Sequence, residues 1–456
     1  MSRYARLSLA DRSNLRIERP ETPGHVAGVC VVEAGPLLGE DGELDLGEIR
    51  RRLERRLVRA PELRRVVRRP PPLCGPALWV DDPTFSIARH VHAARVEPPG
   101  DEASLLRATE MLLRPLLDRS RPLWQLWFLT GVADGRLGVL FQVHHAVADG
   151  LAAIALLASL LDLEPDAADP PPERWSAAPA PSTRALLADS MRSRATALAS
   201  TIVHPVVLVR ELAVVAGDVV EAFRTSTKAP RTSLNALPGG SRRLRAVHLD
   251  LERARAVAHA HDGKVNDVLL AVVSGGLRDL LVSRGEPVDG MELRVSVPAS
   301  LRRADEAREL GNAAGIMVVA LPVSEPDAAR RLERIAAEMR LARAAQRPAS
   351  VQHMTAAMAA LGLAVPLARR QRMVNTFVTN VPGPRDALYL LGARIEQVLP
   401  VVVLAGNVTV TFAALSYHGR LDVVVDADAA ACPDVDVLVA GMNQAWESLA
   451  ARAQAA

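Results

Sequence analysis

Phe141-Gln142-Val143-His144-His145-Ala146-Val147-Ala148-Asp149-Gly150 runs from an apolar stretch into two adjacent histidines and, four residues on, an Asp-Gly pair. Upstream, Leu123 to Thr130 and Arg136 to Val143 have strand composition. Asp134-Gly135 between them predicts a tight hairpin, because both residues tolerate positive φ. Downstream, Leu151 to Leu163 is almost wholly apolar and predicts a buried helix. The stretch reads as strand, histidine pair, helix. A histidine at the end of an apolar strand is desolvated and fixed in orientation, which suits a general base near neutral pH.

Working outward, residues 1 to 163 read as mixed α/β. Val26 to Glu33 predicts a strand. Leu46 to Val58 and Asp101 to Asp118 carry helical spacing, the second interrupted at Pro115. Glu164 to Ser182 holds six prolines and reads as an exposed linker. Helical composition follows from Thr183 to about Phe223, broken at Pro205, and Thr225 to Ser241 is loop-like. Residues 164 to 241 therefore separate the first region from a second α/β region at 242 to 456. Strands are expected there at Leu244 to Leu249, Leu293 to Val297, Ile316 to Leu321, Val374 to Thr379, Val401 to Val403, Val408 to Leu415 and Leu421 to Val425. Helices are expected at Leu251 to Ala260, Val265 to Arg284, Pro326 to Ala345, Val351 to Ala364 and Pro433 to Ala451. No repeat of fixed period is visible, although two α/β halves around a linker suit a pseudo-duplicated architecture.

Composition narrows the function classes. The chain has 456 residues, enough for two or three domains with large cores. With 55 basic and 52 acidic side chains its charge is too balanced for a nucleic-acid binder, and no aromatic-basic platform appears. Cys30, Cys74 and Cys432 are far apart and lack metal-ligand spacing, which suggests a reduced, cytoplasmic setting. The charged N-terminus lacks a signal-peptide core, and no run of 18 apolar residues predicts a membrane span. Peripheral contact with the inner membrane face or a lipid droplet stays open: a helix at Met354 to Ala364 followed by Arg369, Arg370 and Arg372 is one surface for it.

The HHxxxDG pattern is accompanied by others in order: Pro122-Leu123-Trp124, Asn266-Asp267-Val268-Leu269, Val297-Pro298-Ala299-Ser300-Leu301-Arg302, Leu310-Gly311-Asn312, Thr379-Asn380-Val381-Pro382-Gly383-Pro384 and Ser416-Tyr417-His418-Gly419. Together they resemble the bacterial wax ester synthase/diacylglycerol acyltransferase family, within the HHxxxDG superfamily of chloramphenicol acetyltransferase and nonribosomal condensation domains. The resemblance implies two chloramphenicol acetyltransferase-like domains, each a mixed β-sheet flanked by helices, with the active site at their interface. It also implies transfer of a long-chain acyl group from acyl-CoA, a co-substrate rather than a cofactor, to diacylglycerol or a fatty alcohol.

Under that resemblance His145 is the general base. It takes the proton of an acceptor hydroxyl that attacks the thioester directly, with no acyl-enzyme. His144 is either a structural neighbour or a group that shapes the channel. Asp149 is assigned a structural ion pair rather than a triad role, with Arg302 or Arg294 as partner, and Gly150 a sharp turn into the next helix. Asn266 is either an oxyanion donor or, with Asp267, a helix cap. Trp124 is a core residue or a channel wall; Asn380, Pro382 and Gly383 form a rigid turn that lines the donor channel or only a loop. No metal is expected, because adjacent strand residues point to opposite faces and no ligand spacing completes a site. Two other readings remain: a specialised-metabolite acyltransferase for a small hydroxyl or amine, and a non-catalytic lipid-binding protein.

Overall fold

The structure, a computed structural model, describes residues 4–203, 228–300, 314–344 and 369–455. Helices α1 (Leu9–Ile17), α2 (Leu46–Arg56), α3 (Glu102–Leu112), α4 (Gly150–Ala158) and α5 (Thr183–Val203) belong to its first part. The strands there are β1 (Ala5–Arg6), β2 (His25–Glu33), β3 (Arg65–Arg68), β4 (Leu78–Asp81), β5 (Val91–Arg95), β6 (Trp124–Val132) and β7 (Arg136–His144). After the connecting region come β8 (Arg242–Asp250), β9 (Leu293–Ser300), β10 (Ala314–Leu321), β11 (Thr376–Pro382), β12 (Tyr389–Leu390), β13 (Ala393–Val401), β14 (Val410–Tyr417) and β15 (Arg420–Asp428).

Two six-stranded mixed sheets dominate, with orders β12-β13-β2-β7-β6-β5 and β10-β9-β11-β14-β15-β8; β1, β4 and β3 form a small third sheet. Strand β5 lies parallel to β6, and β11 lies parallel to both β9 and β14, while the other pairs are antiparallel. The α/β class and the pair of helix-flanked mixed sheets match the expectation. The first sheet, however, takes β12 and β13 from the last third of the chain, so the boundary at 242 does not separate the sheets. Of Val401 to Val403, expected to be a strand of its own, only Val401 lies in a strand, as the last residue of β13. Arg394, Glu396, Gln397 and Pro400 hide that strand from composition, and a bulge between Ile395 and Gln397 breaks its alternation.

Alternation along β7 explains both layers. Leu137, Val139, Phe141 and Val143 face one core, shared with Trp124, Leu126 and Phe128 of β6 and with Ile49 and Leu53 of α2 and Ala152, Ala153 and Leu156 of α4. Leu140 faces the other way, toward Val29, Val31 and α3, and this core includes Leu244 of β8 and Val424 of β15. The two large sheets thus share an apolar seam. The far face of the second sheet is covered by helices Leu251–Ala260, Val265–Ser283, Ala328–Ala344 and Val435–Ala455.

Local chemistry sets several element ends. Asp134 and Gly135 both have positive φ, 59° and 67°, as their dipeptide predicts for the β6–β7 hairpin. Helix α3 stops at Leu112 instead of running to Asp118, ahead of Pro115, which supplies no N–H and restricts the residue before it. Helix α4 ends at Ala158, short of Leu163. The proline-rich 164–182 segment has no regular structure but is pinned: Asp169 pairs with Arg52 at 2.6 Å and with the fully buried Arg56 at 2.7 Å. The expected helix at 351–364 lies outside the described residues. Among those described, no helix is long and apolar enough to cross a membrane.

Candidate active site

His144 is the last residue of β7 and pairs across the sheet with His25, the first residue of β2. Both rings are completely buried. The Ala146 N–H donates to His144 Nδ1 at 2.9 Å. A backbone N–H can only donate, so Nδ1 holds a lone pair and the ring proton sits on Nε2. Nε2 lies 3.2 Å from Glu18 Oε1, at an angle poorer than a good hydrogen bond. Glu18 is buried just beyond α1; its Oε1 accepts from the Gly24 N–H at 2.9 Å and its Oε2 from Arg119 at 2.7 Å. Burial alone raises a carboxyl pKa, yet His144, Arg119 and Gly24 together hold Glu18 down at about 2. His25 lies 3.8 Å from the same oxygen. Burial foremost, aided by the charge of Arg242 and opposed by the Glu18 carboxylate, pulls its pKa down to about 4.

His145 follows in the turn between β7 and α4. Its N–H donates to the Gly24 carbonyl at 2.8 Å, so the second histidine leaves the strand while staying tied to the chain entering β2. The ring is partly buried. Desolvation lowers its pKa below the usual imidazole value and His144 adds to this; a hydrogen bond to its own backbone carbonyl, Asp149 and Asp11 oppose the shift. A neutral, oriented imidazole results. Asn14 of α1 reaches it: the side-chain amide nitrogen is 3.2 Å from both His145 Nδ1 and the His145 carbonyl oxygen.

Asp149 is the N-cap of α4, its Oδ1 accepting from the Ala152 N–H at 2.9 Å. The ion pair expected of it is not seen with Arg294 among the described residues, and Arg302 lies outside them. Gly150 opens α4 without a left-handed φ, and a Cβ there would meet nothing within 4 Å. The sharp entry expected of glycine is made instead by the extended backbone of Asp149, with φ −74° and ψ 180°. Trp124 is a core residue: its indole N–H donates to the Leu63 carbonyl at 2.6 Å, and its ring stacks on His90 at 4.7 Å.

In the second half, Asp267 rather than Asn266 caps the helix beginning at Val265, accepting from the Lys264 N–H at 2.9 Å and pairing with Arg343 at 2.9 Å. Asn266 is partly exposed, and its Oδ1 accepts from Asn380 Nδ2 at 3.3 Å. The structure therefore joins two residues that the sequence offered separately. Asn380 lies on β11, two residues before the exposed Pro382. Gly383 runs against β14 so closely that a Cβ would sit 2.3 Å from the Ser416 carbonyl oxygen. Leu415 and Tyr417 at this end of β14 share a core with Val143, Ala148 and Ala152, which links the Asn380 end of the second sheet to the histidine motif.

Sequence reading missed Asn14, Glu18, Gly24, His25 and Arg119. A signal existed: Asp11, Asn14 and Glu18 are spaced i, i+3 and i+7, one face of a helix. Helix α1 buries no residue completely, so it lacks the apolar stripe by which helices are usually found.

Comparison with known proteins agrees with this architecture. A family model described as "Wax ester synthase/diacylglycerol acyltransferase catalytic domain" matches residues 7–269, and one described as "WS/DGAT C-terminal domain" matches 310–450. A "probable diacyglycerol O-acyltransferase" of Mycobacterium tuberculosis is 32% identical over 393 residues, covering 83% of this chain and 82% of the relative. The wax ester synthase/diacylglycerol acyltransferase of Marinobacter aquaeolei VT8 matches with a TM-score of 0.71 at 23% identity, over 99% of this chain and 100% of that one. The starter condensation domain of rhizomide synthetase, solved with C8-CoA and Leu-SNAC, matches with a TM-score of 0.59 at 15% identity, over 100% and 95% of the two chains. The chain belongs to the wax ester synthase/diacylglycerol acyltransferase family and is an acyltransferase.

Proposed function

We propose that the enzyme transfers a long-chain fatty acyl group from acyl-CoA to the hydroxyl of diacylglycerol or a fatty alcohol, with His145 as general base. The observation that carries this reading is the state of His145: desolvated, with a depressed pKa, and held through Nδ1 and its backbone at the end of a buried strand. The relatives named for diacylglycerol acylation and wax ester synthesis support the lipid acceptor.

In this mechanism His145 Nε2 removes the acceptor O–H proton as the oxygen attacks the thioester carbonyl. The tetrahedral oxyanion then collapses, the C–S bond breaks, and the imidazolium returns its proton to the departing coenzyme A thiolate. Only proton, acyl group and thiol move, so the balance closes without an acyl-enzyme. Asn380 occupies the Oδ1 of Asn266, leaving the Asn266 N–H groups to donate to the oxyanion, a contribution of roughly 2.7–4 kcal/mol where such a donor acts. A lipid acceptor also calls for peripheral contact with a membrane or lipid droplet.

Thiol release from palmitoyl-CoA tests the reading when dioleoylglycerol, hexadecanol and small polar alcohols are offered in turn. The lipid acceptors should turn over, and His145→Ala should reduce the rate roughly 100- to 10,000-fold with the fold retained. Because the base must be neutral and its pKa is lowered, kcat/KM should stay flat as pH falls to the ordinary imidazole value of about 6.5 and decline only below it. Turnover with small polar acceptors alone overturns the lipid assignment, and a fully active His145→Ala overturns the base.

A further inference from the structure

Beside the two large sheets, β1, β3 and β4 form a smaller body together with the start of α5. Leu186 of α5 is buried there with Cys74, Leu78 and Val80. Arg6 of β1 fastens both parts at once. Its Nη1 donates to the Cys74 carbonyl at 3.0 Å and its Nη2 to Asp189 Oδ2 of α5 at 2.7 Å. The β3–β4 loop and the first turns of α5 are therefore held together. The same body adjoins the active site along the chain, since β1 leads into α1, whose Asn14 contacts His145.

Its surface sets apolar tips among unpaired cations. In the β3–β4 loop, Leu73 has a left-handed φ of 71° and is 67% exposed. A leucine gains little burial there and adopts a conformation its side chain disfavours, so folding alone does not account for it. Pro70, Pro71 and Pro72 stiffen the approach to this tip, and the exposed Arg68 and Arg69 precede them. On α5, Arg184, Leu187, Met191 and Arg194 are spaced i, i+3, i+7 and i+10, which puts them on one face. All four are exposed, as is Arg192. Asp189 is the single acidic residue of α5, and Arg6 neutralises it. Among the described residues no carboxylate pairs with Arg68, Arg69, Arg184, Arg192 or Arg194.

We infer that this face docks the enzyme on the anionic phospholipid surface of a membrane. The arginines meet headgroup phosphates, Leu73, Leu187 and Met191 enter the acyl boundary, and the long arginine stems reach back to the headgroups. As a route to a membrane-held acceptor the surface rests on the lipid reading of the active site. Docking itself is measured without turnover, so the two fail separately.

Flotation of the full chain with vesicles tests the assignment. Wild type should bind vesicles of phosphatidylglycerol and phosphatidylcholine in equal parts, bind pure phosphatidylcholine far less, and loosen as salt is added. Arg184→Gln, Arg192→Gln and Arg194→Gln together should weaken binding roughly 10- to 100-fold, at a factor of about 5 per arginine. Leu73→Asn with Met191→Gln should weaken it roughly 10-fold. Asparagine tolerates the left-handed φ, so this double variant should melt at or above wild type. Both variants should keep wild-type thiol release with hexadecanol presented in detergent micelles.

Wild type that ignores the anionic vesicles overturns the docking surface, and so do variants that bind them as tightly as wild type. Self-association lost in the double variant, without vesicle binding, would assign the face to a second copy of the chain and overturn it as well. If the triple variant fails to fold, the double variant decides on the same criterion. Vesicle binding that depends on these residues, with no turnover of any lipid acceptor, would instead remove the lipid reading and leave the docking surface standing.

Discussion

The two large sheets bury polar side chains next to their shared seam in opposite ways. On the first sheet, His25 and His144 gather round one carboxylate, Glu18, and burial keeps proton affinity low: His25 lies at about 4, and His145 is lowered as well. On the second, charges meet charges. His248 of β8 donates to Asp422 of β15 at 2.6 Å and to Glu102 of α3 at 3.0 Å, which raises its pKa to about 9. Asp426, fully buried 3.3 Å from Arg242, is pushed up to about 7 by burial together with Glu110 and Asp428. Proton affinity is thus suppressed beside the histidine motif and raised across the seam. Imidazole proton affinity falls on one side, and ionic ties between the halves form on the other.

That contrast can be broken from either side. The largest effect is expected from Glu18→Ala, which leaves Arg119 and the Gly24 N–H without their shared acceptor and removes the carboxylate beside two buried imidazoles. Loss of a buried pair costs about 3–5 kcal/mol, and the partial exposure of Arg119 places this one toward the lower end. Chemical denaturation measures it, and acyl transfer should fall with it because His145 loses its frame. Gly24→Ala comes next: its Cβ would lie 3.2 Å from His144 Nε2 and 3.4 Å from Glu18 Oε1. Crowding of this kind costs roughly 1–3 kcal/mol and should reduce kcat more than it raises KM.

Titration of stability sharpens the other half. Asp426 keeps its proton in the folded protein to about pH 7 but loses it near 4 when unfolded, so the wild type should lose stability as pH rises between those values. Asp426→Asn should flatten that slope in melting curves recorded across the range. The smallest change is expected from His248→Gln. A raised histidine pKa gives stability that is complete below about 6.5 and disappears as pH passes about 9. The variant should therefore melt below wild type at pH 6 and together with it at pH 10. Equal melting at both values would remove the ionic tie between the halves.

Much of the fold was legible because its signals are local. Strands β2, β6, β7, β14 and β15 and the helices at 251–260 and 265–283 follow from apolar runs with clear boundaries. Strand β13 was not legible: arginine, glutamate, glutamine and proline interrupt it, and the strand it pairs with lies more than 360 residues earlier. Helix α1 escaped because it presents polar side chains to the site rather than apolar ones to a core. The same contrast holds within the site. The position of His145 could be read from the motif, whereas the cap made by Asp149, the contact of Asn266 with Asn380 and the grip of Glu18 on His144 depend on which surfaces the fold brings together.

The sequence by itself determined the class of the molecule and the place of its histidine motif. Periodicity and turn residues are encoded over a few neighbours, and a strand ending in two histidines announces itself. Only the tertiary structure decided which histidine is sealed and which is available, and which distant residues hold them. Burial and hydrogen-bond partners are supplied by segments far away in the chain, and these set the proton affinity of an imidazole more strongly than anything beside it in sequence.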